Sequence, residues 1–276
     1  ANQAGDAQGR NNYLSENTRS DDFFAMTARG DHQLTDKQRI FVRWSKNDRR
    51  EARNNWTGEV NGLRPIGNYL FRKNDQVTID HVWTISSGML LNLRGGYALF
   101  KEPNIRQHQD VFDPATLGWA SSVVQLFNGA KYMPRFEIGG MSLIGENLAG
   151  NTEHGIWSFQ PTWTKAAGSH SFRAGWDFRA YPEYGAGPGA RAGRYDFNTD
   201  FTRQFDNSPA APIGQQLAAM MLGQTTAGFI DRNADRHNQT VYNGVFFQDD
   251  WRVGDRLTLN LGLRYEYEGA TTERDD

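Results

Sequence analysis

Histidine is the residue type in this sequence best suited to metal binding or proton transfer. The six histidines are His32, His81, His108, His154, His170 and His237. No two of them have the spacing that presents a pair of imidazoles to one metal ion. The chain contains no cysteine, which excludes a thiolate metal site, a disulfide and a cysteine nucleophile. The histidines are interpreted as surface or loop residues, and no metal or other cofactor is predicted.

Two other features could carry chemistry. The neighbouring acids Asp249 and Asp250 could bind Ca²⁺ or act in acid–base catalysis, but adjacent residues of a strand point to opposite faces and cannot share a site directly. The glycine-rich stretch Gly185–Gly193 lacks the Lys-Ser/Thr ending of a phosphate-binding loop and is interpreted as a flexible loop. No catalytic residue is predicted, and the protein is not expected to be an enzyme.

Arginine gives a more informative pattern, because seven arginines fall on the polar face of predicted strands. They are Arg29, Arg39, Arg43, Arg94, Arg173, Arg179 and Arg264. The same faces carry only four acids, which are Asp31, Asp80, Asp177 and Glu266. The arginines either pair with these acids and with carboxylates of another domain, or steer anionic ligands through a water-filled lumen. Pairing is the preferred interpretation.

The elements that carry these residues are indicated by alternating polarity. Leu257–Tyr267 places leucine and tyrosine on one face, and polar residues or glycine on the other, over eleven residues, which predicts a strand. Seven further strands are predicted at Phe23–Gln33, Arg39–Ser45, Gln76–Thr84, Met89–Phe100, Ile156–Thr164, Ser171–Tyr181 and Val241–Arg252. Short turns near Leu34–Lys37, Ile85–Gly88, Lys165–Ser169 and Val253–Asp255 join them into four hairpins. The similarity of Trp83–Gly88 to Trp163–Gly168 supports a repeated hairpin unit.

The connections between hairpins are much longer, at Asn47–Lys73, Lys101–Thr152 and Pro182–Asn238. Short turns on one rim and long loops on the other are typical of outer-membrane barrels, with the short turns in the periplasm. A short helix is predicted from Ile213 to Leu222, ended by Gly223. Apolar or stacking contact with a ligand is predicted for aromatic residues of the loops. These are Trp56, Tyr69, Trp119, Tyr132 and Phe136.

Composition limits the class of protein further. A net charge of −2 and a pI near 6.3 give no basic stripe, and no nucleic-acid partner is predicted. No run of about 18 apolar residues is present, which excludes a transmembrane helix but not a tilted strand of about 9–11 residues. The start of the chain, Ala1–Asp6, lacks a secretory signal, so a mature or truncated start is expected.

Aromatic placement separates a membrane barrel from a soluble one, since both alternate in polarity. Trp83, Trp163 and Trp251 lie close to short turns. Other rings lie near the far ends of strands, namely Trp44, Tyr97, Phe100, Tyr181, Tyr265 and Tyr267. Two such groups match the interfacial girdles of a membrane barrel. The sequence therefore predicts an all-β fold, an antiparallel up-and-down transmembrane β-barrel segment of about eight strands within a larger barrel. The alternative is a soluble β-domain that binds carbohydrate through exposed aromatic rings.

Several motifs resemble the Oar-like TonB-dependent receptors. Phe246–Val253 followed by Leu257–Tyr265 resembles the block QDDW(K/R)V…LTLNLGLRYE of that family. Further similar segments are Asp31–Arg39, Asp113–Gly118, Gly168–Gly175 and Thr272–Asp275. The resemblance implies a 22-stranded barrel, filled by an N-terminal plug domain and energised by the inner-membrane TonB complex.

The resemblance also sets the expected domain organisation and partners. Residues 1–276 are expected to form one partial outer-membrane barrel domain of a Gram-negative cell, without the plug domain and the remaining strands. The expected function is the binding and import of a solute across the outer membrane. The expected partners are outer-membrane lipid, the plug domain, the TonB complex and a small solute or siderophore-like ligand.

Overall fold

The computed structural model of the chain describes residues 2–7, 10–53, 57–59, 65–145, 149–209 and 214–274. Eight long strands dominate this part of the chain. They are β1 (Asp21–Thr35), β2 (Gln38–Arg53), β3 (Asn68–Ser86), β4 (Met89–Arg106), β6 (Gly150–Ala167), β7 (His170–Ala186), β10 (Arg236–Gly254) and β11 (Leu257–Glu268). The others are β5 (Arg135–Ile138), β8 (Arg194–Phe197), β9 (Ala227–Phe229) and β12 (Thr272–Glu273). Two short helices, α1 (Ser121–Leu126) and α2 (Gln215–Met221), lie between strands.

The long strands form one antiparallel sheet in the order β1-β2-β3-β4-β6-β7-β10-β11, with β12 added to β10. Four hairpins have two-residue turns, at positions 36–37, 87–88, 168–169 and 255–256. The predicted antiparallel up-and-down arrangement and its four hairpins are confirmed. Within the described residues, β1 and β11 do not pair with one another, so the sheet is an open segment of a barrel.

The strands are longer than the sequence predicted, at 12 to 19 residues. Residues 48–53 of β2 pair with residues 68–73 of β3, although both lie within the predicted loop Asn47–Lys73. The loops Lys101–Thr152 and Pro182–Asn238 are shortened in the same way, because β4 continues to Arg106 and β7 to Ala186. The physical reason is that these outer parts have no alternation of polarity, as in Arg49-Arg50-Glu51 of β2 and Tyr69-Leu70-Phe71 of β3, although the backbone pairing continues through them. About ten residues of each strand, counted from its short turn, are enough to span a membrane. We call the parts of the strands beyond these residues the strand extensions.

Residues of two long connections fold together into a small unit, which we call the loop subdomain. Its sheet pairs β5 with β8 in parallel and β8 with β9 in antiparallel. Its apolar core consists of Ile138, Tyr195, Phe197 and Ala219 of α2. The helix predicted from Ile213 to Leu222 is present as α2, and Gly223 follows with a φ of +68°. Ile213 itself lies outside the described residues.

No helix in the described ranges is long and apolar enough to span a membrane.

Candidate functional site

The cross-strand register divides the sheet into a polar face and an apolar face. Residues paired across neighbouring strands point to the same side, so a row of partners shares one face. One such row runs through Asp31, Phe41, Asp80 and Arg94. All seven predicted arginines and all four predicted acids lie on this polar face. They are the lumen residues predicted from the sequence.

Each of the four predicted acids forms an ion pair with one of the predicted arginines. Arg29 donates two hydrogen bonds to Asp31, each 2.7 Å long, and Arg179 donates two to Asp177 at 2.9 and 2.8 Å. Arg94 of β4 donates across the sheet to Asp80 of β3 at 2.6 Å. Arg264 pairs with Glu266 two residues along the same strand. Four of the seven arginines therefore have the acid partners that the sequence made available.

The other three arginines have no such partner. Arg39, Arg43 and Arg173 are exposed on the polar face, and in the described part of the chain none lies within 4.0 Å of a carboxylate. The guanidinium of Arg173 instead lies 5.8 Å from the ring centre of Phe246. In this structure four of the seven arginines are paired with acids and three are open to solvent.

The opposite face is apolar and exposed. Ile79 of β3 is 45% exposed, whereas Asp80, the next residue of the same strand, is 4% exposed. A protein that kept its apolar side chains from water by internal packing would have the reverse pattern. Other exposed apolar residues of this face are Val42, Trp83, Trp157, Phe159, Trp176, Val245, Phe247, Leu261, Leu263, Tyr265 and Tyr267. The apolar face extends over about 9–11 residues per strand, for example Leu91–Leu99, which is the length that crosses a bilayer at a tilt.

The aromatic residues of the predicted girdles are divided between the two faces. Trp83 and Trp163 lie on the apolar face near the short turns, in one row with Leu91 between them. At the far end, Tyr97 packs on Trp157 with ring centres 4.2 Å apart. Phe100 and Tyr181, in contrast, have the strand parity of the polar face, so they are not part of a lipid-facing girdle. The prediction for those two was wrong because it counted distance from the turn without the two-residue period.

An extensive charge cluster lies on the polar face of the strand extensions, centred on the fully buried Glu51. Arg72 donates to Glu51 at 2.6 Å and to Glu102 of β4 at 2.8 Å. Arg53 also donates to Glu51 at 2.6 Å, and Arg19 pairs with the same carboxylate. Burial on its own raises the pKa of Glu51, but hydrogen bonds from Arg53 and Arg19 outweigh it and hold the pKa below its ordinary value.

This Glu51 cluster joins the extensions of four strands. Arg49 of β2 contacts Glu51 at 3.3 Å and also donates to Asp21 of β1 at 2.8 Å. Together with the contact of Arg72 to Glu102, the ion pairs run from β1 to β4. No strand was predicted at these positions, so the cluster was not predicted either. The signal available was the run of charges in Arg49-Arg50-Glu51-Ala52-Arg53.

The aromatic residues predicted to contact a ligand occupy different settings. Trp119 stacks on Tyr195 with ring centres 4.5 Å apart, and Phe136 lies 5.9 Å from the same ring, so both pack in the loop subdomain. Burial raises the pKa of Tyr195. Tyr69 lies on the β3 extension with the guanidinium of Arg50 4.6 Å from its ring centre. Trp56 lies outside the described residues.

Tyr132 lies in the wall of an open groove between the strand extensions and the loop subdomain. Its ring is 3% exposed and is covered by Arg106, whose guanidinium is 3.7 Å from the ring centre. In this conformation the ring has a packing role and presents no open face to a ligand. The groove has a volume of about 510 Å³ and is also lined by Lys131, Arg191 and Asp235.

The two neighbouring acids considered for catalysis are separated by the sheet. Asp249 lies on the apolar face, where its carboxylate is 2.6 Å from the Nδ1 atom of His170. Asp250 lies on the polar face and accepts a hydrogen bond from Gln248 at 3.1 Å. The expectation that these two carboxylates point to opposite faces is confirmed. Among the described residues, no three His, Cys, Asp or Glu side chains are grouped as metal ligands.

A sheet that exposes an aromatic-rich apolar face and collects ion pairs on the opposite face is an outer-membrane β-barrel segment. In agreement, the chain belongs to the outer membrane beta barrel domain family, whose profile matches residues 1–276. The protein therefore resides in the outer membrane, and its apolar face contacts lipid. No curated protein matches the sequence significantly.

Among solved structures, the chain is similar to the outer membrane transporter YddB from Escherichia coli. The two share 10% of residues at a TM-score of 0.57. The match covers 93% of this chain but only 29% of the transporter, so this chain corresponds to less than a third of that protein's length. At this identity the similarity shows the fold alone.

Proposed function

We propose that this chain is a segment of an outer-membrane TonB-dependent receptor that binds a solute and imports it. The observation that carries the proposal is the distribution of charge, with arginines and acids concentrated on the face opposite the lipid-facing one. In a closed barrel that polar face lines the lumen. The motifs of Oar-like receptors in β10 and β11 support the TonB-dependent class, and the similarity in fold to a transporter supports a role in transport.

We propose that ligand recognition takes place at the long-loop end of the barrel. The groove between the strand extensions and the loop subdomain is lined by three basic residues, Arg106, Lys131 and Arg191, against one acid, Asp235. Tyr69 and Trp56 remain candidates for stacking contact, whereas Trp119 and Phe136 act through the packing of the loop subdomain. A rigid barrel with varied loops is a common arrangement for recognition.

The orientation is tested in the full-length protein on whole cells. A single cysteine at Gly187, next to β7 at the long-loop end, should react with a membrane-impermeant maleimide. A single cysteine at Ser86, at the end of β3 beside a two-residue turn, should react only after the outer membrane is opened. These 276 residues contain no cysteine, so only cysteines elsewhere in the full-length protein have to be replaced by serine before labelling. The reverse pattern would refute the orientation and, with it, the assignment of the loops to ligand capture.

Dependence on TonB requires a separate test. Cells that produce the full-length protein are treated with a cross-linker, and the purified protein is probed for attached TonB. A TonB adduct that increases when the receptor is saturated with its ligand supports the proposal. A correctly inserted protein with no adduct contradicts TonB-dependent import while leaving the barrel assignment intact.

A non-enzymatic role is part of this proposal, since a barrel with a transporter-like fold needs no catalytic group for its activity. The soluble carbohydrate-binding alternative makes a different prediction about detergent. A soluble domain stays folded and monomeric in buffer, whereas a lipid-facing apolar surface requires detergent or lipid. The exposed apolar face favours the membrane protein.

A further inference from the structure

Three arginines surround Phe41 on the polar face, and two of them, Arg39 and Arg43, have no carboxylate within 4.0 Å among the described residues. Arg39 and Arg43 lie two residues on either side of Phe41 in β2, so all three side chains share one face. The register also places Arg43 directly opposite Arg29 of β1. Like charges in directly opposed positions destabilise a sheet unless an anion lies between or beside them.

Both acids that the register brings close to these arginines are already engaged. Asp31 and Asp80 are the cross-strand partners of Phe41, one on each side. Asp31 accepts both of its hydrogen bonds from Arg29, at 2.7 Å each. Asp80 accepts from Arg94 at 2.6 Å and from Asn92 at 2.9 Å, and it is 4% exposed.

The aromatic ring between the arginines is also part of the arrangement. The guanidinium of Arg29 lies 4.0 Å from the ring centre of Phe41, which holds Arg29 over the ring while it pairs with Asp31. Arg39 and Arg43 are left exposed to solvent on either side. Their Cα atoms are about 13 Å apart along the strand, so two long side chains can converge on one bound group.

We propose that Arg39 and Arg43, placed on either side of Phe41, form a binding site for an anionic solute that carries a carboxylate or a phosphate group. Guanidinium groups bind such anions through two parallel hydrogen bonds, which a lysine cannot reproduce. The site lies within the membrane-spanning part of β2, at a distance from the groove at the long-loop end. It deepens the proposed function, because it assigns an anionic character to the solute that passes the polar face.

The test measures anion binding to the full-length protein in detergent by calorimetry. Citrate and inorganic phosphate are the two probes, sorbitol is the neutral control, and the ionic strength is held near 0.1 M to limit screening. The double variant Arg39→Gln/Arg43→Gln should lower the affinity at least tenfold. Arg39→Lys/Arg43→Lys keeps the charge and should retain part of the affinity. Arg173→Gln is the matched control, because it removes another exposed arginine of the same face outside this group.

Each outcome decides the proposal. Saturable binding of citrate alone assigns a carboxylate ligand, and binding of phosphate alone assigns a phosphate ligand. If the protein binds neither, or if Arg173→Gln weakens binding as much as the double variant, the site does not exist. A third result would also overturn the proposal: the wild type binds no anion, and the double variant unfolds at a lower midpoint. In that case the arginines pair with carboxylates of the protein. Anion binding in detergent does not require TonB, so this result is independent of the cross-linking test above.

Discussion

Replacement of Glu51 by glutamine should loosen the strand extensions of β1 to β4 without affecting the membrane-spanning part. Glu51 is fully buried, and Arg19, Arg49, Arg53 and Arg72 contact its carboxylate. Removing one partner of a fully buried ion pair costs about 3–5 kcal/mol. Here the arginine side chains are 30–57% exposed, and the cover over Glu51 consists largely of those side chains, so solvent screens the interaction. We therefore expect the free energy of unfolding of this region to fall by about 2 kcal/mol, which is less than the cost for a fully buried pair.

Amide hydrogen exchange of the full-length protein in detergent measures this loss locally. A decrease of about 2 kcal/mol in the free energy of opening corresponds to exchange roughly 30 times faster. The increase should be confined to the strand extensions of β1 to β4 and should be largest in residues 46–53 and 68–75, where β2 and β3 pair beyond the apolar band. Glu102→Gln is the matched control, because Glu102 contacts the same Arg72 but is 36% exposed, and its replacement should change exchange less than threefold.

The same protection should depend on pH with a defined sign. The pKa of Glu51 is lowered in the folded protein from its ordinary value of 4.5. A carboxylate with a lowered folded-state pKa contributes its full stability above the unfolded-state value and loses it as pH falls through the folded-state value. Protection should therefore be constant from neutral pH to about pH 5 and should decrease below it. Equal exchange rates in the wild type and in Glu51→Gln would refute the reasoning. Faster exchange that extends over β6 to β11 would refute it as well.

Three other perturbations test separate parts of the structure. Gly175→Ala should destabilise the sheet by about 1–2 kcal/mol, because the new Cβ atom would lie 2.4 Å from the ring of Phe246. Urea unfolding in detergent micelles measures this loss. Gly30→Ala is the control, because the space around Gly30 is open and the substitution should change stability little. Phe197→Ala should cost the loop subdomain about 3 kcal/mol and speed its proteolysis, with the heat-dependent gel mobility of the barrel unchanged. In the 276-residue chain alone, amides of β1 and β11 should exchange faster than those of β4 and β6, and equal protection in a monomer would show that eight strands close.

The membrane-spanning part of the fold could be predicted from sequence because each strand there separates two solvents. Leu259 and Leu261 face lipid while Asn260 between them faces the polar side, and this contrast produces the two-residue period. The strand extensions lie beyond the apolar band, so neither face has to be apolar. Neighbours such as Arg50 and Glu51 are both charged there, and the two-residue period vanishes. The backbone pairing is the same in both regions, but it produces a recognisable sequence pattern only where the two faces differ in polarity.

The loop subdomain could not be predicted from the sequence, for a different reason. β5 and β8 are four-residue strands that pair in parallel across more than fifty residues of chain. Four residues are too few to show a periodic pattern of polarity. Pairing between segments so far apart in the chain also produces no local sequence pattern. Only α2 could be recognised, from its helix formers and from Gly223 after its end. The aromatic residues Trp119 and Phe136 were therefore interpreted as ligand contacts, whereas they pack on Tyr195.

The partners of the arginines could be predicted only as a group. Composition of the polar face indicated seven arginines against four acids, and four pairs are indeed formed. Which arginine pairs depends on geometry that the sequence does not specify, since Arg29 reaches Asp31 along its own strand and Arg94 reaches Asp80 across the sheet.

The open edges of the sheet and the unpaired arginines have a common physical origin. A strand edge in lipid leaves backbone N–H and C=O groups without partners, at several kcal/mol for each group, so we expect β1 and β11 to pair with further strands. Such strands would widen the barrel, and water in a wide lumen would solvate Arg39, Arg43 and Arg173 without neighbouring acids. A barrel closed by these eight strands alone would have an interior filled by side chains, where the same arginines would be buried and uncompensated. Edges and charges therefore favour the same solution, and we propose a larger barrel in which this chain supplies eight strands and a folded loop unit.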